Sequence, residues 1–183
     1  MPDWADASDS QLMEATARGD RDAFSVLIGR HQGPVLSIAY RFLADRSGAQ
    51  DAAQEVFLRL WRSARRYRPD APLAAYLRTL TVNLCLDTKR KARFLVLGQE
   101  GEVPGRHDPH GDLEARERKA ALSAALQTLP EAQRMAVVLF HMEGASVKEV
   151  ASLLDVSPKA AESLLSRARS SLRERLRPLL AGS

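Results

Sequence analysis

Residues 146–169 read SVKEVASLLDVSPKAAESLLSRAR, two helical runs parted by three residues. Ser146 and Glu149 stand at capping-box spacing at the start of the first run. Ser157 followed by Pro158 places a capping hydroxyl before a proline at the first position of the second. Asp155-Val156-Ser157 forms the turn between them, and Asp155 occupies the position where glycine would be easiest if the backbone is left-handed, although Asp tolerates that conformation better than most residues. Val150, Leu153, Leu154, Val156, Ala161, Leu164 and Leu165 make a packed side, and Ala151 is small where the helices would cross. Lys159, Ser163, Ser166, Arg167 and Arg169 make a polar, mostly basic side. The pattern is that of a helix-turn-helix, which lays its second helix in a DNA groove. An antiparallel helix pair with a solvated basic face has the same spacing.

Helical periodicity holds along the whole chain and no strand-length alternation occurs, so the fold class is all-α. Asp9 or Ser10 caps a short helix from Gln11 that stops near Gly19. Phe24, Leu27, Ile28, Val35, Ile38 and Phe42 mark a helix from Asp22 to about Leu43, with Pro34 expected to kink it. After a turn at Asp45 to Gly48, a helix from about Ala49 to Ser63 buries Ala53, Val56, Phe57 and Leu60. Asp51, Gln54, Glu55 and Leu58 lie on its other faces. The basic, proline-containing segment from Arg65 to Pro72 reads as a loop. Leu73, Leu77, Leu80 and Leu84 then carry a helix to about Lys91. Glycines, prolines and acids between Phe94 and Asp112 indicate a linker. Four helices are expected beyond it: Leu113 to about Leu129, Pro130 to Met142, Ser146 to Leu154, and Pro158 to about Leu176. The division is therefore residues 8–93, a flexible acidic linker at 94–112, and residues 113–178.

The 183 residues, 45% apolar and 27% charged, suffice for two small domains. The apolar runs are too short to cross a bilayer and the N-terminus, Met1-Pro2-Asp3-Trp4-Ala5-Asp6, lacks the marks of a secretory signal, so a soluble, cytoplasmic protein without membrane insertion is expected. The single cysteine, Cys85, excludes a disulfide scaffold and a Cys-rich zinc site. Charge alternates along the chain: the net balance of Lys and Arg over Asp and Glu is −4 for residues 1–58, +8 for 59–93, −4 for 94–115 and +4 for 116–183. Two basic blocks flanking an acidic one suit the docking of a polyanion at two places.

Three separated motifs, in order, resemble the bacterial RNA polymerase sigma factors of the extracytoplasmic-function (ECF) type. Asp51-Ala52-Ala53-Gln54-Glu55-Val56-Phe57-Leu58-Arg59-Leu60-Trp61 is similar to the polymerase-binding helix of region 2. Arg66-Tyr67-Arg68-Pro69-Asp70-Ala71-Pro72, with Tyr76-Leu77-Arg78 and Val82-Asn83-Leu84-Cys85-Leu86-Asp87, is similar to the segment that melts the promoter and reads the −10 element. Leu129-Pro130-Glu131-Ala132-Gln133-Arg134, Gly144-Ala145-Ser146, Glu149-Val150-Ala151 and the run from Glu162 to Arg169 are similar to region 4.

The resemblance implies that residues 8–93 form a region 2 domain and 113–178 a region 4 domain. It implies that Asp51, Gln54, Glu55 and Leu58 dock on the β′ clamp helices of core RNA polymerase, with the β flap as a further contact. Two carboxylates one turn apart beside a leucine suit a basic partner helix. It assigns Asn83 to a flipped-out base of the non-template strand and the loop from Arg65 to Ala71 to its pocket, with Arg62, Arg66, Arg68, Lys89, Arg90 and Arg93 on backbone phosphates. Tyr76 stands where the family often has tryptophan. In the helix-turn-helix it implies that Ser163 and Arg167 face −35 bases, with Lys159 and Arg169 nearer phosphates and Ser166 on the same face. Glu162 and Leu164 add no obvious phosphate contact. An anti-sigma factor is a further implied partner.

No catalytic constellation is present. Cys85 sits in an apolar helical pattern, the histidines at 31, 107, 110 and 141 are scattered, and His107 with His110 in the linker lack the spacing of a metal site. No cofactor is implied. The expected function is promoter recognition, melting and transcription initiation with core polymerase. The competing readings are a helix-turn-helix regulator of duplex DNA and a sigma-like decoy that binds proteins alone.

Overall fold

The computed structural model describes residues 4–68, 70–96 and 113–180, with side chains described for 4–68, 70–91 and 117–177. Every regular element in them is helical. Helix α1 spans Asp9–Ala17, α2 Arg21–Leu43, α3 Arg46–Ser63 and α4 Leu73–Val96, with a 3-10 turn at Ala64–Arg66 between α3 and α4. The second half holds α5 at Leu113–Gln127, α6 at Glu131–Val137 running into a π-helical turn at Val138–Met142, α7 at Val147–Leu153 and α8 at Pro158–Leu180.

The cap of α1 is Ser8, one or two residues before the expected Asp9 or Ser10. Its hydroxyl accepts from the Gln11 amide while the Gln11 side chain accepts from the Ser8 amide, satisfying two helix-end donors. Gly19 follows the helix at φ +93°, the left-handed position expected of it. Helix α2 runs unbroken through Pro34 from its Asp20 cap. The turn after it is shorter than expected: Ala44 takes φ 55°, Asp45 caps, and α3 begins at Arg46. Helix α4 continues through residues 94–96, which the composition assigned to the linker, while the rest of that segment, 97–112, lies outside the described residues.

Helix α2 packs against α1, α3 and α4, burying Leu12, Leu27, Ile38, Phe42, Val56, Leu60, Leu77 and Val82. Truncating any one of these leucines to alanine would cost about 2–5 kcal/mol. The second half packs α8 against α5, α6 and α7 around Met135, Leu139, Val150, Ala161, Leu165 and Ala168. Ala151 is buried, as its small size at the helix crossing requires. Asp155 takes φ 52° in the turn, the left-handed conformation where glycine would be easiest and that Asp tolerates.

The halves meet along α2. Arg134 of α6 is 6% exposed and sends four hydrogen bonds inward: Nη1 to the carbonyl of Phe42 (3.2 Å) and to Gln127 Oε1 (2.6 Å), Nη2 to the carbonyls of Gln127 (2.8 Å) and Leu129 (3.0 Å). Gln127 Nε2 donates to the same Phe42 carbonyl. Beside them Ser37 donates to Glu143, Arg41 donates to the Met142 carbonyl, and Arg78 pairs with Glu149 of α7 at 3.8 Å.

Candidate polymerase and nucleic-acid interfaces

On α3 the spacing of Asp51, Gln54, Glu55 and Leu58 places all four on one side of the helix, away from the buried Ala52, Ala53, Val56 and Phe57. Asp51 and Gln54 are exposed. Leu58, 41% exposed, is with Tyr40 one of the two large apolar side chains left open among the described residues. The expectation of two open carboxylates is modified by Arg59, whose Nε donates to Glu55 Oε1 at 2.8 Å. That bond holds the Glu55 carboxyl below its ordinary value. The surface is therefore a free carboxylate, an amide, a compensated ion pair and an exposed leucine.

Helix α4 carries Tyr76, Asn83 and Arg90 seven residues apart, one stripe about 21 Å long. Tyr76 stacks edge-on to Tyr67 at 5.6 Å and its hydroxyl lies 3.3 Å from Ser63 Oγ, which ties the loop after α3 to the helix. It is half-buried, the packing role of an aromatic at that position. Asn83 is exposed and forms no hydrogen bond with another described residue, so neither capping nor bridging occupies its amide. Arg62, Arg66 and Arg68 are exposed around the foot of α3 and the loop, and Arg90 is exposed with Asp87 3.6 Å away. Lys89 differs from the expectation: it is half-buried toward α6, where burial and then Arg134 lower its pKa against Glu131 and Asp45. The side chain of Arg93 lies outside the described residues. A cleft of about 360 Å³ opens between α1 and the loop, lined by Asp9, Ser10, Tyr67, Asp70 and residues 71–74. Asn83 is not among its lining residues.

Helix α8 exposes Lys159, Ser163, Ser166, Arg167 and Arg169 together, opposite the buried Ala161, Leu165 and Ala168. Ser163 Oγ donates to the Lys159 carbonyl at 3.0 Å, and Arg167 Nε donates to the Ser163 carbonyl at 3.2 Å, laying the Arg167 stem along the helix. Ahead of it, the Ser146–Glu149 capping box is formed in both directions.

With this geometry, the comparisons decide the family. Residues 27–94 match Sigma-70 region 2 and residues 119–172 match Sigma-70, region 4. The chain is 34% identical to the ECF RNA polymerase sigma factor SigM of Mycobacterium tuberculosis, over 90% of this chain and 83% of the relative. This chain belongs to the ECF RNA polymerase sigma factors. The RNA polymerase sigma-H factor of Pseudomonas aeruginosa is 30% identical over 94% of this chain and 95% of its own length. Among solved structures, CnrH in complex with the cytosolic domain of CnrY is 28% identical with a TM-score of 0.66, covering 93% of this chain and 97% of that one. An RpoE sigma factor of Bartonella quintana, 23% identical with a TM-score of 0.68 over 84% of this chain and 96% of its own, shares the fold.

As an ECF sigma factor the chain binds core RNA polymerase and promoter DNA and directs promoter recognition and transcription initiation. Sigma factors are regulatory subunits rather than enzymes. Burial pushes the Cys85 thiol up to about 12. No helix among the described residues is long and apolar enough to cross a membrane. Arg134 falls in the region 4 motif, but its role in joining the halves, and that of Gln127, was not legible in the sequence. Their partner is a backbone carbonyl, which leaves no side-chain signature.

Proposed function

We propose that α3 is the polymerase-docking helix, through Asp51, Gln54, Glu55 and Leu58, and that the sigma factor itself performs no chemistry. The observation that carries the reading is the exposed Leu58 beside Asp51 and Gln54 on a helix whose opposite side is fully buried. An open leucine ringed by polar groups suits the buried centre of a helix–helix contact, and the acid sets its orientation against a basic partner.

The division at residues 8–93, 94–112 and 113–178 assigns −10 recognition and promoter melting to the first domain and −35 recognition to the second. Along the exposed stripe of α4, Asn83 offers a free amide for a base edge and Arg90 a guanidinium for a phosphate. Arg62, Arg66, Arg68 and Arg93 serve the backbone, and Lys89 joins them once α6 no longer covers it. On α8, Ser163 and Arg167 read bases and Lys159, Ser166 and Arg169 hold the helix in register.

An anti-sigma factor is a further proposed partner; the Bartonella quintana sigma factor that shares the fold was solved in complex with the anti-sigma factor NepR. The β′ clamp helices and the β flap are the proposed contacts on the polymerase, and the cytoplasm is the compartment. The test is binding of purified core polymerase to the full chain. Leu58→Asp and Asp51→Lys should each weaken it at least tenfold while circular dichroism is unchanged, and unaltered binding by both would remove α3 from the interface.

A further inference from the structure

Glu162 is the residue of the −35-reading face that phosphate pairing leaves without a role. At about 100° per residue, it falls between Arg169 and Ser166 on the exposed side of α8, the side that also carries Lys159 and Ser163. It is exposed and makes no hydrogen bond or ion pair with another described residue, Lys159 and Arg169 included. It lies in the first two turns of the second helix of the helix-turn-helix, and residues there reach base edges.

A carboxylate accepts hydrogen bonds and donates none, so every phosphate repels it and its partners in the groove must be donors. The major groove offers two, the amino groups of cytosine and adenine. Adenine sets its N7 acceptor beside that amino group, against a carboxylate. Guanine presents N7 and O6 and thymine O4, all acceptors. Cytosine alone offers a donor with no acceptor on the same base.

We propose that Glu162 is a specificity-determining residue that selects cytosine at one position of the −35 element. The proposal rests on the reading of α8 as the −35-reading helix. The same carboxylate weakens binding wherever that position holds another base, so it acts through rejection as much as attraction.

The experiment is open-complex formation by holoenzyme, assembled from core polymerase and the full chain, on a promoter library randomised across the −35 element. The wild type should favour cytosine at one position by roughly tenfold. Glu162→Ala should flatten that position alone, and Glu162→Gln should move its preference to adenine, whose N6 and N7 match an amide. A Glu162→Ala profile that keeps the cytosine preference, or that shifts all sequences equally, overturns the role of Glu162 while leaving α8 as the reader. A wild-type profile with no −35 preference at all overturns both readings together.

Discussion

Arg134 Nη1 donates to the Phe42 carbonyl at 3.2 Å, and its guanidinium also sits 5.4 Å over the Phe42 ring. One side chain of the second domain thus closes the C-terminal end of the central helix of the first. Four acceptors depend on it, three of them backbone carbonyls. Arg134→Met keeps much of the volume but removes the guanidinium from all four acceptors, leaving the Phe42 carbonyl with the Gln127 amide alone. The expected loss is about 2–4 kcal/mol in chemical denaturation, since unpaired buried groups cost far more than a formed bond returns. A loss below 0.5 kcal/mol, on the order of an ordinary surface change, would show the contact to be incidental.

Ala44 holds φ 55° between α2 and α3, with its amide bonded to the Tyr40 carbonyl. An L side chain pays strain there that glycine avoids. Ala44→Gly should therefore raise stability by about 1 kcal/mol, read as a higher denaturation midpoint at unchanged slope. The opposite sign would mean that the loss of the half-buried methyl outweighs the backbone strain.

Glu55 is held below its ordinary pKa of 4.5, first by the hydrogen bond from Arg59 and also by the charges of Arg59, Arg62 and Lys91. A lowered carboxyl pKa means that the pair's stabilising share is present above 4.5 and disappears as pH falls through the lowered value. Arg59→Ala should raise the Glu55 pKa toward 4.5 in an NMR titration, and should leave core polymerase binding at pH 7 intact because it frees a docking carboxylate. A titration curve that does not move would place the cause elsewhere.

Arg167 lies along α8 with Nε bonded to the Ser163 carbonyl, and its two terminal nitrogens have no partner among the described residues. Arg167→Ala should cost about 1–3 kcal/mol on the cognate promoter and much less on a promoter altered at the base it reads. Lys159→Ala should weaken all promoters alike and lower the salt dependence. Equal loss on every sequence for Arg167→Ala would make it a phosphate contact.

Periodicity and capping chemistry exposed most of the fold. The helix-turn-helix could be read almost to the residue because Ser146, Glu149, Ser157 and Pro158 are local signals. Boundaries slipped where local signals compete: Ser8 rather than Asp9 or Ser10 caps α1, and α3 starts at Arg46 because Ala44 adopts a conformation that its side chain disfavours. The exposed faces of α3 and α8 follow from the same periodicity. What the sequence hid is tertiary. Phe42 and Arg134 are 92 positions apart, and the burial of Lys89 follows from that packing, not from its own helix.

The most direct measurement is run-off transcription with purified bacterial core polymerase and a pool of promoter fragments, with the full chain, without it, and with Glu55→Lys, which reverses a charge on the docking face. Specific transcripts are expected that require the protein and are lost with Glu55→Lys while the variant stays folded. Specific transcripts at undiminished yield from Glu55→Lys would contradict the docking face. No transcript, from a folded protein that shifts the same duplexes without polymerase, would contradict the account as a whole.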